Sequence, residues 1–165
     1  MATAAVRHSV QGLAVTVHAH AHVDVTKLFD TVVAEDVLPH VLHRYRFIPE
    51  VTATSDLTGP WDTPGSSRTV HLANGGRAQE RLDTFQRPDA FTYTVSGFTG
   101  IFGRIVDHAV GAWEFRSDGE GSQFTWTYRF TPRPARGPVV ALVVRAGWAG
   151  YMHRAAQRCV GRAEA

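Results

Sequence analysis

Residues 104–131 read RIVDHAVGAWEFRSDGEGSQFTWTYRFT, and this stretch decides the fold. In each half the side chains alternate in kind, which is the two-residue period of a β-strand with one buried face. In the second half, large rings occupy one face: Phe124, Trp126, Tyr128 and Phe130. The polar, glycine-rich segment between the halves is typical of a hairpin turn. The stretch therefore predicts two paired strands, over about 104–116 and 122–131.

The same period extends upstream and predicts more strands. Four lie over about 50–58, 67–73, 76–85 and 90–96, and turn residues separate them, among them Gly59-Pro60, Pro64-Gly65, Asn74-Gly75-Gly76 and Arg87-Pro88-Asp89. Because such short connections cannot hold a crossover helix, the six strands are predicted to form an antiparallel meander. Strict alternation over 13–23 adds one long strand at the start, so about seven strands are expected.

Helical patterns precede and follow the meander. After the first strand, Asp24 or Thr26 can cap a short helix, and a second short helix is expected before Ile48-Pro49. A long helix is predicted from about 138 to 162, with two different faces. Its apolar face holds Ala149, Met152, Ala156 and Cys159, and its basic face holds Arg154, Arg158 and Arg162. We expect one α+β domain over 1–165, with residues 1–9 loosely ordered.

Composition excludes several classes of protein. The chain has 165 residues, 44% of them hydrophobic and 19% charged, with a formal net charge of +2. No run of five like charges occurs, which argues against a nucleic-acid-binding arm, and no apolar run is long enough to span a membrane. The single cysteine fits no metal motif. We therefore expect a cytoplasmic monomer or dimer without a cofactor.

Several segments carry a resemblance to a known superfamily. They are residues 25–33 (VTKLFDTVV), 65–72 (GSSRTVHL), 80–82 (ERL), Tyr93, 111–115 (GAWEF), 124–128 (FTWTY) and 148–152 (WAGYM). With the order of elements, they resemble the START-like, polyketide-cyclase and lipid-transport superfamily (SRPBCC). The resemblance implies a helix-grip fold, in which a curved antiparallel sheet surrounds a long C-terminal helix. Members bind sterols, lipids, plant hormones or polyketides, and some are cyclases or aromatases.

Strand parity predicts which side chains face the helix. Large rings opposite small residues (Ala109, Gly111, Ala149 and Ala156) would leave a void, and natural cores avoid empty voids. We therefore expect a ligand cavity. Its predicted ligand-binding residues come from the strands, the 97–103 loop and the last helix: Glu80, Tyr93, Phe98, Phe102, Trp113, Trp126, Tyr128, Arg145, Ala149 and Met152.

Glu80 and the 97–103 loop each leave two interpretations open. On the concave face, the Glu80 carboxylate would have to be paired, hydrogen-bonded or protonated; otherwise it sits in water at the end of the sheet. Arg145 could be its partner or an anchor for an anionic ligand. The loop, GFTGIFG, is either a flexible apolar lid or a segment packed on the core. Its glycine spacing is a weak nucleotide motif, because no helix is expected there to receive a phosphate.

The histidines at positions 18, 20 and 22 fall on the outer face of the first strand. Two imidazoles at this spacing can hold Zn or Cu, but a solvated strand face is the favoured interpretation, and no metal is expected.

Three functions follow. The leading hypothesis is a carrier or binder of a hydrophobic lipid-like or polyketide-like molecule. The alternative is a polyketide aromatase/cyclase, with Glu80, Tyr93 or Tyr128 as acid or base and Arg145 or Arg68 holding a carbonyl or a carboxylate. A third function, docking of an acidic partner such as an acyl carrier protein on the basic helix face, is compatible with both.

Overall fold

A computed structural model describes residues 5–165, which form a helix-grip fold. The strands are β1 (Arg7–Gln11), β2 (Ala14–Ala21), β3 (Val51–Ser55), β4 (Ser67–Leu72), β5 (Arg77–Gln86), β6 (Ala90–Ser96), β7 (Val106–Ser117) and β8 (Ser122–Pro132). They build one sheet in the order β1-β2-β8-β7-β6-β5-β4-β3, and all neighbours are antiparallel. The predicted meander is therefore the observed one.

One strand differs from the sequence-based expectation. Residues 7–9 were expected to be loosely ordered, but they belong to β1, which pairs with β2 across a turn at Gly12. The sheet thus has eight strands and not about seven. Four of the five side chains of β1 are exposed, so this edge strand lacks the apolar alternation that marks the others. Residues 1–4 lie outside the described part of the chain.

Two short helices follow β2 as predicted. They are α1 (Val25–Val33) and α2 (Val37–Val41). The Asp24 carboxylate caps α1 by accepting a hydrogen bond from the backbone N–H of Thr26 at 2.8 Å. The Phe29 ring meets the rings of Phe85, Phe91 and Phe115 edge-on. Helix α1 therefore closes one end of the concave face with aromatic packing.

The C-terminal helix covers the concave face and is not regular. It consists of α4 (Gly137–Val143), a π-helical turn (Val144–Trp148) and α5 (Ala149–Glu164), 28 residues together. Helix α5 packs against β2, α1 and α2. A π turn widens the helix locally and changes which side chains share a face, and such turns are frequent at functional sites. No helix within residues 5–165 is long and apolar enough to cross a membrane.

The 97–103 segment contains a helix that the sequence analysis did not predict. Helix α3 spans Gly100–Ile105, between β6 and β7. The backbone explains two of the glycines. Gly100 has a positive φ of 71°, and a Cβ at Gly103 would overlap the carbonyl of Phe98. The glycine spacing therefore serves a tight turn into a short apolar helix.

A pair of histidines joins the edge strand to the C-terminal helix. The Nδ1 atoms of His8 on β1 and His153 on α5 lie 2.9 Å apart, so one ring donates and the other accepts. Burial, followed by the nearby His8 and Arg154, lowers the pKa of His153 below its ordinary value of 6.5. The folded chain therefore favours neutral His153. The stability that this residue contributes is fully present above its unfolded pKa and is lost as the pH falls through the lowered pKa of the folded state.

We predict that acid weakens this contact. Between about pH 7.5 and about pH 5, the melting temperature of the wild type should fall more than that of His153→Gln, because glutamine does not titrate in this range. Thermal unfolding followed by circular dichroism at both pH values measures the difference. Equal decreases in the two proteins would show that the pair contributes nothing that depends on pH.

Candidate ligand-binding cavity

A cavity of about 770 Å³ lies between the concave face of the sheet and the C-terminal helix. Strands β3 to β8 supply one wall, and the rest comes from the C-terminal helix, α1, α2, α3, the segment after α2, Trp61 and the turn at 74–76. The side chains in the walls are mainly apolar. Ile101 and Phe47, which are 79% and 58% exposed, belong to the walls and mark the place where the cavity meets the surface.

The structure brings most of the predicted residues together. Seven of them lie in the cavity wall: Glu80, Tyr93, Phe98, Phe102, Trp113, Trp126 and Tyr128. The five on strands are buried, because β5 to β8 each turn one face to the helix. Phe98 and Phe102 meet edge-on at 4.9 Å between ring centroids, and Phe102 stacks on Trp148 at 5.9 Å. Their role in binding stays a prediction.

Three predicted residues do not line the cavity. Arg145 is exposed, while Ala149 and Met152 are buried outside the cavity wall. The helix instead contributes Val143, Trp148, Tyr151, Ala155 and Cys159. The reason is that α5 is buried over a wide arc, one part against the sheet and α1 and another part against the cavity. Side-chain polarity is the same in both parts and does not distinguish them.

The void that was expected beside small strand residues is filled. A Cβ at Gly111 would overlap the ring of Tyr93, so this glycine makes room for that ring. Neither Gly111 nor Ala109 lines the cavity, and Ala149 and Ala156 do not line it either. The open space lies further toward β4 and β5, where Val70 and Ala78 belong to the wall.

Glu80 forms a buried ion pair with Arg68. Arg145, the candidate partner from the sequence, is exposed and does not pair with it. The two carboxylate oxygens of Glu80 accept hydrogen bonds from Nε and Nη2 of Arg68 at 3.3 and 3.4 Å. The guanidinium also donates to the backbone carbonyl of Glu35 and lies 3.9 Å from the ring centroid of Trp61. Arg68 and Glu80 are directly paired across β4 and β5, and both are the same number of residues away from Asn74 in the turn between these strands. The register of the predicted hairpin could therefore have identified Arg68 as the partner.

The part of the wall beside this ion pair, on β6 to β8, is aromatic and carries neutral donors. The rings of Trp113 and Trp126 stack at 4.5 Å, and Trp126 Nε1 donates to Tyr93 Oη at 3.1 Å. Burial raises the pKa of Tyr93, of Tyr128 and of Tyr151. These three phenols therefore stay protonated at neutral pH and can donate a proton or a hydrogen bond.

The strand histidines lie outside the cavity. His18 Nδ1 is 3.0 Å from Thr125 Oγ1, and His20 Nε2 is 2.8 Å from the Asp118 carboxylate. Within residues 5–165, no group of three or more His, Cys, Asp or Glu side chains is arranged to hold a metal ion. Burial raises the pKa of the Cys159 thiol to about 12, so this side chain behaves as a protonated wall residue.

We predict strong coupling between Arg68 and Glu80. Glu80→Gln or Arg68→Met should each lower the free energy of unfolding by about 3 kcal/mol, because each leaves one buried charge without its partner. The double variant Arg68→Met/Glu80→Leu should lose much less than the sum of the two, since it buries no charge. Urea denaturation measures all four proteins. Additive losses would show that the two charges act independently.

Comparison with known proteins agrees with this architecture. A family model described as polyketide cyclase/dehydrase and lipid transport matches residues 7–164. No curated protein sequence matches the chain significantly. The crystal structure of Ara h 8.0201 is similar with a TM-score of 0.60 and 17% identity, covering 91% of this chain and 96% of that one.

Two further structures are similar as well. A protein from Rhodobacter sphaeroides has a TM-score of 0.66 at 9% identity, covering 95% of this chain and 96% of that one. The di-domain ARO/CYC protein BexL, from the BE-7585A biosynthetic pathway, has a TM-score of 0.67 at 13% identity. That match covers 94% of this chain and 52% of BexL. At these identities the similarity shows a shared fold. Because the family model matches almost the whole chain, the protein belongs to the polyketide cyclase/dehydrase and lipid transport family.

Proposed function

We propose that this protein binds one hydrophobic, ring-bearing small molecule in the internal cavity and acts as its carrier. The observation that carries the proposal is the 770 Å³ cavity with mainly apolar walls. Protein interiors pack densely and contain few voids larger than a water molecule. A space of this size, with a few polar groups in an apolar wall, has the features of a small-molecule site.

The shape of the wall supports a flat ligand. Phe91, Trp113 and Trp126 form a stacked series, with interplanar angles of 12° and 14° between neighbouring rings. Rings that stack on one another present their edges to the cavity, and the face of a flat ring system can pack on these edges in the edge-to-face geometry that aromatic pairs favour. A lipid chain would use the same apolar area less completely, so we favour a polyketide-like or other ring-bearing molecule.

Catalysis as a cyclase is the second candidate, and the buried phenols favour it. Tyr93 and Tyr128 are protonated hydroxyls in the wall of the cavity and can donate a hydrogen bond or a proton to a substrate oxygen; because burial raises their pKa, the hydrogen bond is the stronger of the two roles. Glu80 is less suited to act as a base, because Arg68 already engages both of its oxygens.

An acidic carrier protein remains a proposed partner for the basic helix face. Arg154 and Arg162 are exposed there, while Arg158 donates to the carbonyl of Val41. Two exposed arginines on one helix would attract an acidic surface at low salt.

A matched pair of alanine substitutions tests the carrier proposal. Ala78 and Ala109 are both buried on strands, but only Ala78 belongs to the cavity wall. We predict that Ala78→Leu weakens binding of the apolar fluorophore Nile red by about tenfold, because leucine fills part of the cavity. Its melting temperature should stay close to that of the wild type. Fluorescence titration measures affinity and stoichiometry, and one dye per chain is expected in the wild type.

Ala109→Leu is the control. It should lower stability by about 1–3 kcal/mol by overpacking a filled core, and leave the dye affinity of the folded protein unchanged. Equal weakening of dye binding by both variants would contradict the location of the site, and no saturable binding in the wild type would remove the proposal.

The cyclase candidate has its own test. On a reactive poly-β-ketone mimic, Tyr93→Phe or Tyr128→Phe should lower turnover by about 10²- to 10⁴-fold if that phenol is the acid, with substrate binding nearly intact. Product analysis with parallel binding measurements separates the two effects. Turnover that survives in both variants would exclude these phenols as the acid, and a wild type without turnover would contradict catalysis on this class of substrate.

A further inference from the structure

Two phenol hydroxyls in the cavity wall have no hydrogen-bond partner among residues 5–165. Tyr128 on β8 is 5% exposed and Tyr151 on α5 is 4% exposed, and both line the cavity. Within residues 5–165, the one buried polar side-chain atom that is both unpartnered and sealed from water is Trp148 Nε1. The hydroxyls of Tyr128 and Tyr151 are therefore not sealed, and the space that they face is the cavity.

The two phenols come from different elements and share one neighbour. Both rings pack on the indole of Trp148, Tyr128 at 5.3 Å and Tyr151 at 5.2 Å between ring centroids. Trp148 ends the π-helical turn, which brings the helix side of this cluster into the wall. Because neither hydroxyl is sealed, water in the cavity can bond to it, and a ligand that displaces this water without replacing its hydrogen bonds loses affinity. A ligand seated against both phenols must therefore supply an acceptor.

The neighbouring polar groups limit what that acceptor can be. Tyr93, whose ring centroid lies 6.3 Å from that of Tyr128, accepts from Trp126, which leaves its own hydroxyl hydrogen available. The nearby charges are already balanced, since Arg68 and Glu80 pair with each other. The other cation in the wall is Arg77, whose side chain is exposed to solvent. An anionic ligand that reaches Tyr128 and Tyr151 would thus lose its hydration without gaining a buried, unpaired cation, which is unfavourable. An uncharged oxygen carries no such penalty.

We propose that Tyr128 and Tyr151 form a subsite for an uncharged oxygen acceptor, a ring ketone or a phenolic oxygen, on a flat apolar ligand. This inference rests on the proposed binding function and adds the chemical class of the ligand. Both hydroxyls donate to the same part of the ligand, and Trp148 and the aromatic strand wall hold its rings. The subsite selects oxygenated ring systems over hydrocarbons of the same shape and over carboxylates.

Fluorene and 9-fluorenone test the proposal, since they are flat tricyclic probes that differ by one carbonyl oxygen. The affinity ratio of fluorenone to fluorene is measured by displacement of Nile red from the wild type and from Tyr128→Phe/Tyr151→Phe. We expect the ratio to fall by about tenfold in the double variant, with fluorene binding unchanged. Comparing the ratio in two proteins removes the difference in water solubility between the probes. The single variants should each show part of the loss.

Tyr45→Phe is the matched control. Of the four tyrosines, Tyr45 is the one outside the cavity wall, so its removal should leave the ratio unchanged. All the Tyr→Phe variants should keep the wild-type melting temperature, because neither cavity hydroxyl has a protein partner to lose.

The outcomes separate the inference from the proposed function. If both probes bind and the double variant keeps the wild-type ratio, the subsite is wrong while the cavity still binds apolar molecules. Tighter binding of fluorene-9-carboxylate than of fluorenone would overturn the assignment to an uncharged oxygen. If neither fluorene nor fluorenone displaces the dye, the binding function itself fails.

Discussion

One helix is too narrow to cover an eight-stranded sheet, and the rest of the structure follows from that mismatch. Strands about 4.8 Å apart make a sheet of eight roughly 34 Å wide, whereas a helix with its side chains is about 10 Å across. Helix α5 lies against β2 at one side of the concave face, and α1 and α2 close one end. Within residues 5–165 the helices pack closely on β2, β7 and β8 but not on β4 to β6, so a space remains between that part of the face and the C-terminal helix, and the cavity lies there.

The cavity persists because its walls cannot collapse inward. The stacked rings on β6, β7 and β8 are held at spacings that the strand register sets, and Tyr93 fills the space over Gly111. On β4 and β5, Arg68 and Glu80 hold each other within the wall, and Trp61 covers the guanidinium. Stiff aromatic surfaces and a paired charge leave few ways to fill the space with the chain's own atoms. The same features place neutral donors at a site that a ligand can reach.

Sequence periodicity predicted which face of a strand is buried, because a strand has only two faces. It failed for the C-terminal helix, which can be buried over many different arcs. A strand has two faces, so alternation placed Trp126 and Tyr128 in the wall once the helix side was chosen. A helix buried over a wide arc has no such restriction, and Tyr151 was missed while Met152, its neighbour, was chosen. The partner of Glu80 depended on pairing across β4 and β5, which a search of the helix face could not reveal. Strand β1 escaped prediction because an exposed edge strand carries no apolar alternation.

The central claim is that the space between sheet and helix exists to hold a small molecule. The most direct measurement is native mass spectrometry of the protein purified without denaturation from the cells that encode it. The account predicts one uncharged, oxygen-bearing ring compound per chain, released when the chain unfolds. A chain that is bare in every preparation, and that also forms no one-to-one adduct with any of a panel of apolar ring compounds, would contradict it.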